Sequence, residues 1–272
     1  MPELPEVETV VRGLQEGVVS RQITSVQVFR NKPITPIKPK IFIKHLAGRT
    51  IQSVTRRAKY VLFQLEPPLW LLAHLRMTGK FIVTPPLPKP GRHHRVWFHL
   101  SPDLLMVFED MRCFGTLELL ESLEECQKLK QLGVEPLSSA LTIRYLQNCF
   151  SHSASPIKNL LLNQTKVVGI GNIYASEILF DAHISPVRKG SQLSVAELGK
   201  IIHSTQNILR KAIDKNGTSI SDFRRVDEQS GEFQNCLKVY GKAEQPCSRC
   251  ATPIQRMRQQ QRSSFYCPSC QQ

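Results

Sequence analysis

Apolar positions along the 272-residue chain change period twice. After Pro5, residues Val7, Val10, Val11 and Leu14 recur at helical spacing and lay an apolar stripe on a helix that Gly17 can end. Pro2, Glu3 and Glu6 then stand at the N-terminal mouth of that helix. From residue 23 to residue 120 the pattern becomes short apolar or alternating runs, such as 60–65, 70–75, 95–99 and 104–108, separated by Pro, Gly and Asp. It predicts a sheet-rich domain, a sandwich or flattened barrel.

Near residue 137 the helical period returns, with Leu141, Tyr145, Leu146, Cys149 and Phe150 spaced to cover one face. Ser155-Pro156 reads as an N-cap with proline at the first helical position, opening a helix that runs to Val168 before Gly169. Asn172 can cap another short helix. Ser194 and Glu197 make a capping-box pattern for a longer helix that stops at Asn216-Gly217. Residues 217–240 are polar and loop-like, and residues 85–90 form a short proline-rich loop.

Charge narrows the partners. Thirty-six Lys and Arg against 22 Asp and Glu give a net charge of +14, and a pI near 9.6 favours a polyanion over a small metabolite. No stretch approaches the roughly 20 apolar residues of a membrane span. Met1 leads into Pro2 and Glu3 instead of a basic and then apolar signal, so a soluble, cytoplasmic protein without a membrane partner is expected.

Four of the eight cysteines form two tight pairs, Cys247-x2-Cys250 and Cys267-x2-Cys270, whereas Cys113, Cys126, Cys149 and Cys236 are scattered. Two such knuckles can close a tetrahedral four-thiolate site, which predicts one structural Zn2+ with no open coordination position. Arg256, Arg258 and Arg262 lie between the knuckles and make a cationic hairpin, suited to phosphate or simply solvated. Gly169-Ile170-Gly171-Asn172 lacks the third glycine and the preceding strand of a dinucleotide loop. It fits a tight turn between helices, either a plain N-cap or a phosphate-binding helix start.

Removal of Met1 would expose a secondary α-amine on Pro2 beside Glu3. An α-amine has a pKa of about 8 against about 10 for lysine, so more of it is nucleophilic near neutrality. Attack on a sugar C1′ would leave an iminium ion, an electron sink that acidifies the C2′ proton, with a carboxylate such as Glu3 to shuttle protons. A chain that retains Met1 has no such amine.

MPELPEVETV, RRAKY, HLRMTG, VVGIGNIYASE and FYCPSC, in that order over the whole chain, resemble the formamidopyrimidine-DNA glycosylase family. The resemblance implies an α+β multidomain fold: an N-terminal β-sandwich with flanking helices (1–133), a helix-two-turns-helix domain (134–235) and a C-terminal zinc-finger β-hairpin (236–272). It implies a monomer acting on double-stranded DNA with oxidised purines, excising 8-oxoguanine and formamidopyrimidines and cleaving the strand by β,δ-elimination. Carried over by motif, Pro2 is the nucleophile, Glu3 the general acid/base, Glu6 an orienting group, and Lys59 the lysine near the lesion. His74, His93, Asn172 and Arg262 match backbone contacts. Met77, Arg112 and Phe114 match the side chains that enter the stack when a nucleotide is extruded.

Two departures from the family pattern stand out. Residues 151–155 read SHSAS where relatives carry more basic residues, which moves a phosphate contact to Lys158. Glu228 and Glu232 stand where glycine and tyrosine are frequent, in a loop that also holds Phe223 and Arg224 and covers the flipped base in the family. The alternatives are an endonuclease VIII-like glycosylase for oxidised pyrimidines, against which Leu4 and the Arg112/Phe114 pair argue, and a non-catalytic zinc-dependent nucleic-acid-binding protein.

Overall fold

The structure, a computed structural model, describes residues 1–66, 69–219 and 225–272. They fall into two compact units: residues 1–130 with 215–232, and residues 131–214 with 233–272. This grouping differs from the three spans read from the sequence in two respects: the helical and cysteine-hairpin spans share one unit, and residues 215–232 leave them. Residues 215–232 belong with the N-terminal unit, because Thr218, Val226 and Glu228 all bond to it. No helix among the described residues is long and apolar enough to cross a membrane.

In the first unit, α1 (Leu4–Val18) precedes β1 (Ile23–Val28), α2 (Pro39–Leu46), β2 (Ile51–Arg57), β3 (Tyr60–Leu65), β4 (Trp70–His74), β5 (Gly79–Thr84), β6 (His94–Leu100), β7 (Leu104–Asp110), β8 (Thr116–Leu120) and α3 (Gln127–Lys130). The strands make two antiparallel four-stranded sheets, ordered β1-β6-β7-β5 and β2-β3-β4-β8, which is the expected sandwich. Their inner faces meet through aromatic rings: Phe63 of one sheet lies 5.4 Å from Phe81 of the other, and Phe81 lies 5.2 Å from Phe108. The α1 stripe of Val7, Val10, Val11 and Leu14 is buried in the same core. Each such side chain contributes roughly 1.5–3 kcal/mol of burial, enough to fix the helix and therefore its mouth.

Gly17 does not end α1. The helix continues to Val18, and the chain reverses at Ser20 with φ +66°. At Gly17 a Cβ would meet Val83 at 3.4 Å, an ordinary contact, so packing on β5 leaves room for a side chain there.

The second unit contains α4 (Ile143–Phe150), α5 (Ile157–Leu162), α6 (Asn172–Asp181), α7 (Val195–Asp214), β9 (Gln255–Gln259) and β10 (Arg262–Tyr266). Ser194 and Glu197 form the anticipated capping box, with Ser194 N–H donating to Glu197 Oε2 at 2.8 Å and Glu197 N–H to Ser194 Oγ at 3.3 Å. Asn216 and Gly217 do stop α7, both at positive φ. Two helix limits differ from expectation. Helix α5 has Pro156 as its N-cap and closes at Leu162, not Val168, because Asn163 Oδ1 accepts from Thr165 N–H and folds the chain into a turn. Gln164 fixes the next turn by accepting from Gly169 N–H and donating to the carbonyl of Ile170. Gly171, not Asn172, is the N-cap of α6.

Candidate active site and metal centre

Pro2 is buried at the start of α1, and Glu3 and Glu6 are only 4% and 2% exposed. The two glutamates form a reciprocal capping box: Glu3 caps the helix with its side chain, and Glu6 Oε2 accepts from Glu3 N–H at 2.8 Å. The other Glu6 oxygen accepts from Thr218 N–H at 2.7 Å. Gly217 is required there, since it has φ +77° and a Cβ would sit 2.9 Å from Glu6 Oε1. One buried carboxylate thus joins the helix mouth to residues 217–218. With Met1 attached, the Pro2 nitrogen is an amide. Met1 itself is 48% exposed and lines a cleft of about 490 Å³ with Lys32, Arg76, Met77 and Phe114.

Lys59 sits in the turn between β2 and β3 and is 6% exposed, a buried lysine and not one on the surface. His74 faces Tyr60 edge-on at 4.7 Å, and its Nδ1 accepts from Arg76 N–H at 3.0 Å. Burial, followed by the nearby Arg76, Lys59 and Lys128 charges, pushes its pKa down to about 3. The imidazole is therefore neutral at physiological pH with its proton on Nε2, a donor and not a cation. His93 lies half-buried in the turn before β6, where its carbonyl accepts from Asp110 N–H at 3.0 Å.

Met77, Arg112 and Phe114 come together from two turns, β4–β5 and β7–β8. Met77 is 43% and Phe114 44% exposed, which excludes a core role for either. Arg112 Nη1 lies 3.3 Å from Met77 Sδ, and its guanidinium lies 4.9 Å from the Phe114 ring centroid. Lys32 approaches the same ring at 5.1 Å. Two residues without a motif hold these turns. Asp110, fully buried, accepts from the Thr78 hydroxyl, from Arg112 N–H at 3.1 Å and from Gly115 N–H at 2.7 Å. Arg95, 6% exposed, donates to the carbonyls of Asp110 at 2.7 Å and Met111 at 3.4 Å. The one available signal was an acidic residue closing the apolar run of β7.

In the second unit, the sulfurs of Cys247, Cys250, Cys267 and Cys270 all lie within 4.8 Å of one another. Three of the separations are 3.9, 3.5 and 3.3 Å, against about 3.8 Å for a tetrahedron with Zn–S bonds of about 2.3 Å. Each knuckle also turns a backbone N–H toward its first sulfur: Arg249 to Cys247 and Cys270 to Cys267, both at 3.4 Å. The donor set fits one structural zinc.

Arg256, Arg258 and Arg262 are exposed along β9 and β10, and Arg262 lines a shallow cavity with Asn159, Asn163 and Gln260. Asn172 Nδ2 donates to the Ser263 carbonyl at 2.9 Å, while its Oδ1 has no hydrogen-bond partner. The assignment of Lys158 to phosphate is corrected. It is 1% exposed, and its ammonium donates to Ser263 O at 2.9 Å and Ser264 Oγ at 2.7 Å, so the charge holds the hairpin against α5. Glu177, also 1% exposed, accepts from Lys238, Val239 and Tyr240 N–H groups at 2.8–2.9 Å. Burial raises its pKa against these bonds. Neither burial was readable from sequence spacing.

In the loop departure, Glu228 pairs with Lys80 at 2.9 Å and Glu232 with Lys215 at 3.7 Å. Phe223 and Arg224 lie outside the described residues.

A helix-two-turns-helix arrangement carrying a four-cysteine zinc hairpin defines the protein's class. Family models agree along the chain: the formamidopyrimidine-DNA glycosylase N-terminal domain matches residues 1–117, the H2TH domain of the same glycosylase 132–224, and the zinc finger found in FPG and IleRS 244–272. The chain belongs to the formamidopyrimidine-DNA glycosylase family. It is 40% identical over 270 residues to the Lactiplantibacillus plantarum formamidopyrimidine-DNA glycosylase, covering 98% of both chains. A Lactococcus lactis FPG variant solved with Fapy-dG containing DNA superposes with a TM-score of 0.93 at 35% identity, covering 100% of both chains. The wild-type Lactococcus lactis protein, solved with DNA containing an oxidized pyrimidine, gives 0.92 at 34% identity and 100% coverage of both.

Proposed function

We propose that the chain, once Met1 is removed, uses the Pro2 amine to excise oxidised purines from duplex DNA and then cleaves the strand. As a family member it is a DNA glycosylase of base excision repair; the lyase step and the residue roles are this reading's own. The observation that carries it is the buried Pro2–Glu3–Glu6 constellation at the mouth of α1, beside a cleft lined by exposed Met77 and Phe114.

The Pro2 lone pair forms a bond to C1′ as the glycosidic C–N bond breaks, and the base leaves with the bonding pair and the proton that the Pro2 nitrogen sheds. Opening of the C1′–O4′ bond then gives an iminium ion, with O4′ keeping the bonding pair and protonated by Glu3. Glu3 in turn takes the C2′ proton and the 3′ phosphate leaves from C3′; loss of the C4′ proton to water then expels the 5′ phosphate from C5′. Glu6 holds Glu3 through its backbone. Met77 and Phe114 fill the vacated stack, and Arg112 hydrogen-bonds the orphaned base. Lys59, neutral His74, His93, Asn172 and Arg262 hold the backbone. In this reading residues 1–133 carry the chemistry, residues 134–235 and 236–272 hold the duplex, and a cytoplasmic monomer suffices.

Borohydride trapping on an 8-oxoguanine duplex, followed by mapping of the adduct, tests the mechanism. The adduct is expected on Pro2; a lysine adduct or none overturns it. The wild-type Lactococcus lactis complex with an oxidized pyrimidine gives the second reading, a pyrimidine-directed enzyme, a specific footing. Excision of 8-oxoguanine opposite cytosine faster than thymine glycol supports the purine assignment, and the reverse order overturns it.

A further inference from the structure

The buried Asp110 carboxylate touches the Met77, Arg112 and Phe114 group at three points. It accepts from the hydroxyl of Thr78, next to Met77; from the backbone N–H of Arg112 itself; and from the backbone N–H of Gly115, next to Phe114. Thr78 and Gly115 belong to different turns, 37 residues apart in the chain. Gly115 has no room for a side chain: a Cβ would lie 2.7 Å from the Phe108 ring and 3.2 Å from Asp110 Oδ2. Asp110 is 0% exposed, and its three partners are neutral.

A buried anion without a paired cation is costly, and it persists where charge-assisted hydrogen bonds return the lost hydration. Chemistry explains why a carboxylate stands here. Three donors converge, and an ionised carboxylate offers only acceptors, whereas an asparagine would turn an NH2 donor toward at least one of them. Arg95 supports the same point from behind by binding the Asp110 carbonyl.

We infer that Asp110 is the positioning residue for stack insertion, fixing both turns so that Met77, Arg112 and Phe114 enter the duplex as one rigid unit. The inference rests on the insertion role proposed above for these three. The side chains themselves are exposed and gain little rigidity from their own contacts. An ordered approach to the void therefore depends on the backbone beneath them, which Asp110 bonds in both turns and which the bond from Arg112 N–H to Thr78 Oγ at 3.1 Å reinforces. Arg112 depends on it most directly, so the main consequence is for reading the opposite base.

Asp110→Asn, with Met1 removed and zinc bound, is the test, measured beside Thr78→Val and the triple variant Met77→Ala/Arg112→Ala/Phe114→Ala. One unmade buried bond to a charged group predicts a fall of about tenfold or more in kcat/KM on 8-oxoguanine duplex for Asp110→Asn. The preference for cytosine over adenine opposite the lesion should fall with it. Thr78→Val, which also removes an acceptor of Arg112 N–H (3.1 Å to Thr78 Oγ), should give a smaller loss that adds in part to that of Asp110→Asn. Cleavage of an abasic site in single-stranded DNA, where no stack needs filling, should stay within about twofold, which separates positioning from misfolding. Equal losses on single-stranded and duplex substrates, or an unchanged opposite-base preference, overturn the inference. If the triple variant keeps full duplex excision, the insertion role itself fails; if it loses excision while Asp110→Asn does not, only the role of Asp110 fails.

Discussion

The sandwich and the cysteine hairpin both present exposed cationic side chains, but they hold their shape differently. Sandwich side chains from Val7 to Leu117 make one continuous buried cluster spanning two sheets and α1. The hairpin has two strands and a small cluster of Phe180, Val239, Ile254 and two cysteines, Cys247 and Cys267, which are themselves metal ligands. A two-stranded hairpin alone is marginal in water, so metal and a few buried polar struts stand in for a core. Shape that comes from many small contacts degrades gradually; shape that comes from one ion is all or none.

The sharpest way to break this contrast is to take the metal away. Chelation, or Cys267→Ser, removes a binding free energy on the order of 10 kcal/mol that doubles as folding free energy for such modules. Amide-exchange protection should vanish across residues 255–266 and survive in β3 and β7, while DNA affinity falls; equal loss in both regions would end the distinction. A smaller effect is expected from Glu177→Ala, which strands three N–H donors, the buried one of Val239 and the part-buried ones of Lys238 and Tyr240, under the hairpin's lead-in segment. It should cost about 3 kcal/mol, read as a lower denaturant midpoint and faster zinc loss to a chelator, whereas Glu177→Gln, which keeps one acceptor oxygen, should cost less.

The last effect is absent at neutral pH and appears only in acid, where both regions weaken for different reasons. Hairpin thiolates lose their metal to protons. In the sandwich, the unfolded chain binds a proton at the ordinary His74 pKa of 6.5 and the folded chain only near 3. The unfolded state therefore holds more protons in that window, so sandwich stability falls as pH drops from 6.5 toward 3. His74→Gln should flatten the dependence of the melting temperature on pH between 6.5 and 4 without altering zinc release. An unchanged slope would assign acid lability to other groups.

Legibility in the sequence follows the same division. Alternation between residues 23 and 120 revealed the sandwich, because its sheets each bury one face and period two records that burial. The zinc ligands were legible because metal geometry fixes their spacing, and Ser194, Glu197, Asn216 and Gly217 because capping is local chemistry. Asp110, Arg95, Glu177 and Lys158 were not read correctly, since each acts on groups brought near only by the fold: Lys158 bonds to Ser264 across 106 residues, and Glu177 to Tyr240 across 63. Val168 misled as a helix end because the Asn163 turn outweighed propensity, and Gly17 because α1 runs one residue further before the turn at Ser20. The place of Pro2, Glu3 and Glu6 at the mouth of α1 was legible, but the bond from Thr218 to Glu6 was not.

That bond has a consequence for how the protein is made. Glu6 reaches its partner Thr218 across 212 residues of chain, so four-fifths of the polypeptide must be synthesised before this buried carboxylate has both of its backbone partners. Amino-terminal trimming acts on the first residues to leave the ribosome. Under the mechanism proposed above, the Pro2 amine would thus be uncovered early and set in place late, and a nascent or truncated chain would carry that nitrogen without the Glu6–Thr218 anchor.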